Sequence, residues 1–350
     1  MAYTTINKSS DFFNTKLYSG TGSSQSITGV GHQPDFVWIK QRSGTQFHQL
    51  ANVIQGVGKQ ICSNATEAES TDANGLTAFG TDGFSVGSSG NYNNNGGTFA
   101  SWNWKAGGGQ GSSNTDGSIN TTYTSVNTTA GFSISKYTGN GSNPSTVGHG
   151  LGVAPKMIII KNLDQGTDWQ VYHASTGNTK GLLLNLTASA FTTSFWGNTT
   201  PTNSVFTLGV GDVNTNNINY IAYCFAEKTG YSKFGSYVGN GDADGTFVFC
   251  GFKPAFVMYK KAIETSGNTA RWTIIDNKRD IDNVASHGLF PNANSVENTG
   301  SGYWDIDMLS NGFKMRTTEQ ETNESGSTFV FMAFAEAPLV GSNNVPCTAR

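Results

Sequence analysis

The side chains best suited to acid–base or metal chemistry are five histidines: His32, His48, His149, His173 and His287. No H-E-x-x-H occurs, and no two histidines stand at metal-ligand spacing. His48 and His173 each follow an aromatic residue, Phe47 and Tyr172. That placement reads as the echo of a repeat, and partly buried structural histidines are expected. The stretch "GNGDADGT" from Gly239 sets Asp242 and Asp244 ahead of Gly245, like a fragment of a calcium loop. The third acidic position and the distant Glu of such a loop are missing. The matching "GNGSNPST" has no Asp at all. A turn is the first reading, with a calcium site at Asp242 and Asp244 left open.

Other constellations are as sparse. Asp276, Arg279, Asp280 and Asp282 read as an ion-pair patch in water. "YTGNGSNP" is Gly-rich but does not run into a helix with Lys-Ser/Thr, so it cannot cradle phosphate as a Walker loop does. There is no G-x-S-x-G elbow, and the carboxylates show no pairing that marks glycoside hydrolysis. No catalytic residue, metal or cofactor is expected, and the chain reads as a non-enzyme. Four cysteines, Cys62, Cys224, Cys250 and Cys347, lie far apart with no C-x-x-C. They read as free thiols rather than a disulfide framework. Exposed aromatics could still stack on a sugar. Tyr92, Trp196, Tyr303 and Trp304 lie in Gly/Asn/Thr-rich loops, where each either packs on a neighbouring module or subunit or contacts a ligand.

The elements that position these residues repeat. "GHQPDFVWIK" from Gly31 returns as "GVAPKMIIIK" from Gly152 and "GFKPAFVMYK" from Gly251. Upstream stand "LYSGTG", "KYTGNG" and "SYVGNG". Downstream come an aromatic (Phe47, Trp169, Trp272), a tetrad ("GFSV", "VFTL", "GFKM") and a closing aromatic strand ("TFASWNW", "YIAYCF", "TFVFMAF"). The order holds in all three copies, with an insertion of roughly eight to ten residues in the third, between Lys260 and Phe313.

Each part has a physical reading. Gly supplies positive φ in a tight turn. Pro suits the first residue of a strand and not its interior. Four apolar residues between turn signals predict a strand buried on both faces, and the Lys is expected to end it by returning to water. The tetrads predict half-buried strands. The Asn-rich runs at Asn91 and Asn214 predict hairpin loops. Helical periodicity is confined to weak hints over residues 66–71 and 276–282. The expected fold is all-β, with three sandwich-like modules of roughly 100–115 residues. Residues 1–108, 131–229 and 230–340 form the modules. Residues 109–130 are a Gly/Ser/Thr-rich linker with a leading strand, the run over 107–114 looking flexible. Residues 341–350 are a tail. The short junction over 227–232 implies that the second and third modules pack together.

Charged residues are 13% of the 350, about half the usual share of roughly 25%. A net charge of −3 and no Lys/Arg cluster argue against a nucleic-acid partner. No apolar run approaches the ~18 residues of a membrane span. The N-terminal "MAYTTINKSS" does not read as a secretion signal.

The phrases "SINTTYTSVNTTAGFSISKYTGNG", "VGHGLGVAPKMIIIKN", "YIAYCFAEKTGYSKFGSYVGNG", "CGFKPAFVMYKK" and "FMAFAEAP" resemble a family of uncharacterised repeat domains. These occur in virion structural proteins of tailed phages from marine and other aquatic bacteria. "QPDFVWIKQRSG", "TDGFSVG" and "SWNWKAGG" extend the likeness to the N-terminal segment, so that it covers most of residues 12–340. The resemblance implies a tail fibre or minor structural protein of the phage particle and carries no catalytic residues. It implies a homotrimer, other virion proteins as partners, a bacterial surface glycan or protein as receptor, and assembly in the host cytoplasm. A capsid decoration or head-fibre protein is the alternative, and a polysaccharide depolymerase or a carbohydrate-binding lectin a further one. A charge-poor surface suits saline water: at ~0.5 M salt the screening length falls to about 4–5 Å, and surface ion pairs lose most of their worth.

Overall fold

The structure, a computed structural model, describes residues 4–338. Cys347 and the expected tail lie outside the described residues. The fold is all-β: six antiparallel sheets, three large and three small, with helix limited to single turns.

The three large sheets share one strand order. In the first, the leading strand Phe13–Ser19 pairs with the closing strand Thr98–Trp104. That strand pairs with the motif strand Phe36–Gln41, which pairs with Gln49–Asn52. The second sheet runs Phe132–Thr138, Asn219–Phe225, Met157–Asn162, Gln170–His173. The third runs Ser232–Val238, Thr328–Pro338, Phe252–Ile263, Thr273–Asp276. Register agrees as well: Phe36 faces Trp104, Met157 faces Phe225, and Phe256 faces Phe334. Each large sheet is covered by a small one that holds the tetrad strand: Gly83–Val86, Val205–Leu208 or Gly312–Met315.

The motif strands are buried on both faces, as expected, and the pleat explains how. Successive side chains point to opposite faces. Val37 and Ile39 enter a core between the first large sheet and its small partner, while Phe36 and Trp38 enter a core shared by all three large sheets. Ile158 and Ile160 divide in the same way from Met157 and Ile159, and Val257 and Tyr259 from Phe256 and Met258. At the centre of the shared core the closing aromatics Trp104, Phe225 and Phe334 form a triangle. Its ring-centroid distances are 6.3, 6.2 and 5.8 Å. Burying each such side chain contributes roughly 1.5–3 kcal/mol. The first and third sheets therefore meet as closely as those adjacent in sequence, and the arrangement is a closed ring.

Several expectations are corrected. Gly31, Gly152 and Gly251 do take positive φ (92°, 72° and 79°). Pro34 and Pro155 precede their strands, but Pro254 lies inside one, at a bulge where its missing N–H breaks no ladder. Lys40, Lys161 and Lys260 do not return to water. All three are fully buried, and each ammonium donates to backbone carbonyls of nearby loops or strand ends instead of to water. The Asn-rich runs are not hairpins. Each crosses from a small sheet to a large one, the first through the single helical turn Gly90–Asn93. Residues 66–71 and 276–282 are not helical.

The run over 107–114 is tied down. The Ala106 and Gly108 amides donate to Asp35 at 2.7 and 2.9 Å, and the Gly107 amide donates to Ser125 at 3.0 Å. Ile119 beyond it bridges to Val147 and enters the core of the second unit.

Candidate functional site

Three junctions close the ring, and a set of polar contacts recurs at each. At the first–second junction the Glu69 amide donates to the Leu163 carbonyl at 2.9 Å. At the second–third, the Ala190 amide donates to Ala262 at 2.9 Å. At the third–first, the Glu297 amide donates to Arg42 at 2.8 Å. Indoles add to two of these seams. Trp169 Nε1 donates to the Cys62 carbonyl at 2.9 Å, and Trp272 Nε1 to the Leu183 carbonyl at 2.8 Å.

Two of the three buried lysines serve the same seams. Lys161 Nζ donates to the carbonyls of Thr66 and Thr167 at 2.8 and 2.9 Å. Lys260 Nζ donates to those of Thr187 and Ala270. Lys40 Nζ donates to Gln41 and Gly44 at 2.6 and 2.8 Å, within its own unit. Burial pushes Lys40 and Lys161 down to about 8 and Lys260 to about 7.

Strand register corrects the histidine echo. Asn52, His173 and Asp276 occupy one position, opposite Phe36, Met157 and Phe256. Each points at the next unit. Asn52 Nδ2 donates to the Tyr223 hydroxyl at 2.9 Å, and His173 Nε2 to the Phe331 carbonyl at 3.2 Å. Asp276 accepts from Trp102 Nε1 at 3.0 Å. His48 instead precedes its strand, as Trp169 and Trp272 do, and its Nδ1 accepts from Trp38 Nε1 at 2.9 Å. His32, His48, His149 and His173 are buried, and desolvation lowers the pKa of each, that of His173 to about 4. His287 lies 2.8 Å from Asp280.

Of the Asp276 cluster, Asp282 is exposed, but Asp276 and Arg279 do not lie in water. Asp276 and Arg279 have fully buried side chains 2.6 Å apart. Arg279 also reaches Glu297 at 3.1 Å and the carbonyls of Ile274 and His287 at 2.8 and 2.6 Å. Glu297 takes a fork from Arg42, with contacts of 2.9 and 2.7 Å. Burial opposes the Arg279 charge, but Asp276 and Glu297 outweigh it and raise its pKa. The network seals the third–first junction, with Arg42 from the first sheet's side and Asp276, Arg279 and Glu297 from the third's.

Of the four aromatics singled out for sugar contact, three are core. Tyr92 is buried, and its carbonyl accepts from the Tyr18 hydroxyl at 2.7 Å. Trp196 is buried edge-on to Tyr172, and its Nε1 donates to the Lys180 carbonyl at 2.9 Å. Trp304 is buried between Phe290 and the Arg271 guanidinium. Only Tyr303 is exposed, at 51%. A loop residue is thus no guide to exposure where the loop crosses between two layers. Asp244, for its part, pairs with Lys314 at 2.5 Å, and no group of three or more His, Cys, Asp or Glu side chains able to hold a metal occurs among the described residues.

Sequence reading passed over a cleft of about 310 Å³ at the second–third junction. Ser175, Thr176, Lys180, Ser189, Ala190 and Glu264 line it. Ser189 Oγ and Glu264 Oε2 have no hydrogen-bond partner. A signal was present in the sequence, in Ala190 standing where the other junctions have Glu69 and Glu297, but only strand register aligns the three positions.

Residues 8–338 match the family model described as Domain of unknown function (DUF7483), and the chain belongs to that family. No curated protein and no solved structure matches the chain.

Proposed function

We propose that this member of the DUF7483 family is three copies of one two-sheet unit and serves as a structural component of a phage particle. In this reading it is a tail fibre or tail-appendage protein that takes part in host attachment. It is assembled in the host cytoplasm and carried in the virion, as a homotrimer bound to other virion proteins. Its receptor is a glycan or protein of the bacterial surface. The resemblance of the repeated phrases to virion proteins supports the assignment.

The observation that carries it is the closed ring of junctions. A single chain locks three sheet pairs around one aromatic core and turns charge-poor loops outward, which suits a display module better than a reaction vessel. Labelled antibodies on intact particles test it. Decoration of the tail supports the reading, and particles that bind no antibody overturn it. The ring also favours one second reading: a capsid decoration or head-fibre protein in which one chain fills a threefold position on the shell. Label on the shell, and a monomer by light scattering at micromolar concentration, would select that reading.

A further inference from the structure

The three junctions invite a position-by-position comparison. Lys59 opens the strand Lys59–Cys62, and Lys180 opens Lys180–Leu183. Each Nζ donates to a threonine hydroxyl on the next strand, Thr71 at 3.0 Å and Thr192 at 2.9 Å. Lys59 has in addition a carboxylate: Glu69 stands 3.3 Å away, held by Gln55 at 2.7 Å. At the third–first junction Glu297 fills the same backbone position and binds Arg42 and Arg279. At the second–third junction that position is Ala190. Lys180 makes no ion pair there among the described residues, and the missing side chain leaves the cleft.

We propose that the cleft at the second–third junction binds an acidic sugar unit, with the sugar carboxylate on Lys180 in the place that Glu69 and Glu297 take at the sister junctions. The chemistry of the lining selects this class. Lys180 supplies one cation, and a carboxylate there forms a charge-assisted pair. Ser175 and Thr176 add hydroxyls, and Ile263 with Ala262 gives an apolar wall for a ring face. About 310 Å³ lies within the roughly 300–1,000 Å³ range of small-molecule sites. A bare oxyanion would answer Lys180 but would leave the Ser175 and Thr176 hydroxyls and the apolar wall without a partner. A neutral sugar would leave the Lys180 charge unanswered.

The inference rests on the host-attachment reading for the source of the sugar, a surface polysaccharide rich in uronic acids. Isothermal titration of the full chain with D-glucuronate and with D-glucose tests it. Glucuronate is expected to bind saturably and about tenfold or more tighter than glucose, the worth of one charge-assisted contact. Lys180→Gln should remove that preference. Ala190→Glu should abolish glucuronate binding, because it rebuilds the Lys59–Glu69 pair within the protein. It should leave the circular dichroism and the melting temperature unchanged or raised, since the sister junctions already hold a Glu there. Equal affinity for the two sugars, no saturable binding, or binding that survives Ala190→Glu would overturn the proposal. Adsorption of the same proteins to host cells separates the two readings. Cell binding unaffected by Ala190→Glu sinks the cleft alone. Glucuronate binding without cell binding supports the cleft and sinks the attachment reading.

Discussion

Trp102 donates its indole N–H to Asp276 at 3.0 Å, joining residues 174 positions apart. This contact belongs to the one junction that no peptide link bridges directly. The first and second units are joined through residues 105–131, and the second and third through 226–232. The third and first must find each other through non-covalent contacts alone, and this is where the chain places its densest buried charge. Asp276, Arg279, Glu297 and Arg42 form one continuous series of ion pairs.

Arg279→Leu is expected to destabilise the protein by about 3–5 kcal/mol, the cost of leaving buried carboxylates without their cation. Arg42→Leu should cost less, since Arg42 is 21% exposed and water can replace it. Urea denaturation measures both. Equal stabilities for Arg279→Leu and the parent would show that the ring closes on apolar contacts alone.

At the centre of the shared core, Trp104 Nε1 has no partner. An orphaned buried N–H costs roughly 1–3 kcal/mol, and the sister positions hold Phe225 and Phe334. Trp104→Phe removes that orphan but shrinks the side chain, so the two effects offset in part and the loss is expected to stay below about 3 kcal/mol. Trp104→Ala should lose about 3–5 kcal/mol through the cavity it leaves. A shift of similar size in both variants would count against the shared core as the main source of cohesion.

The buried histidines set an acid limit. His173 accepts from the Ser175 amide at Nδ1 and donates from Nε2, which requires the neutral ring. Its folded pKa of about 4 lies below the ordinary 6.5. As pH falls below about 6.5 the unfolded chain takes up a proton that the folded chain refuses, so stability falls, and the fall continues to about pH 4. For His173 alone the loss is ~3 kcal/mol over that window. His32, His48 and His149 shift in the same direction. Melting temperature against pH should drop steeply between 6.5 and 4, and His173→Gln should flatten the slope. A flat profile in the parent would refute the neutral-ring assignment.

Asn93, Asn214 and Asn323 are fully buried and pin the Gly-rich turn to the crossing loop in each unit. Asn214 accepts from the Asn140 amide at 2.9 Å and donates to the Ser142 carbonyl at 2.8 Å. Asn214→Ala should cost about 1–3 kcal/mol for the stranded backbone groups. It should also open the turn near residues 139–145 to limited proteolysis. Protection equal to the parent there would mean that the adjacent Tyr137–Val213 contact of 2.7 Å holds the turn unaided.

Much of this protein is written locally. The period-two apolar runs, the Gly and Pro punctuation and the absence of a helical period determine an all-β chain, and the thrice-used motif marks the strands buried on both faces. Those signals concern neighbours along the chain, and the pleat converts them directly into faces. What lies on the far side of a face is not a local property. Lys40, Lys161 and Lys260 look like strand ends in water, yet adjoining segments cover them. Asp276 and Arg279 look like a surface patch because nothing near them in sequence shows that the first sheet will close over them. Trp196 and Trp304 look like loop aromatics because a loop that crosses between layers has the composition of one that faces water. The Ala190 cleft depends on the same thing, since a single missing side chain matters only where two units meet. Packing between the three units decided Lys161, Lys260, the Asp276–Arg279 network and the cleft, and packing of the two sheets within a unit decided Trp196 and Trp304, because burial and charge pairing depend on distance in space rather than along the chain.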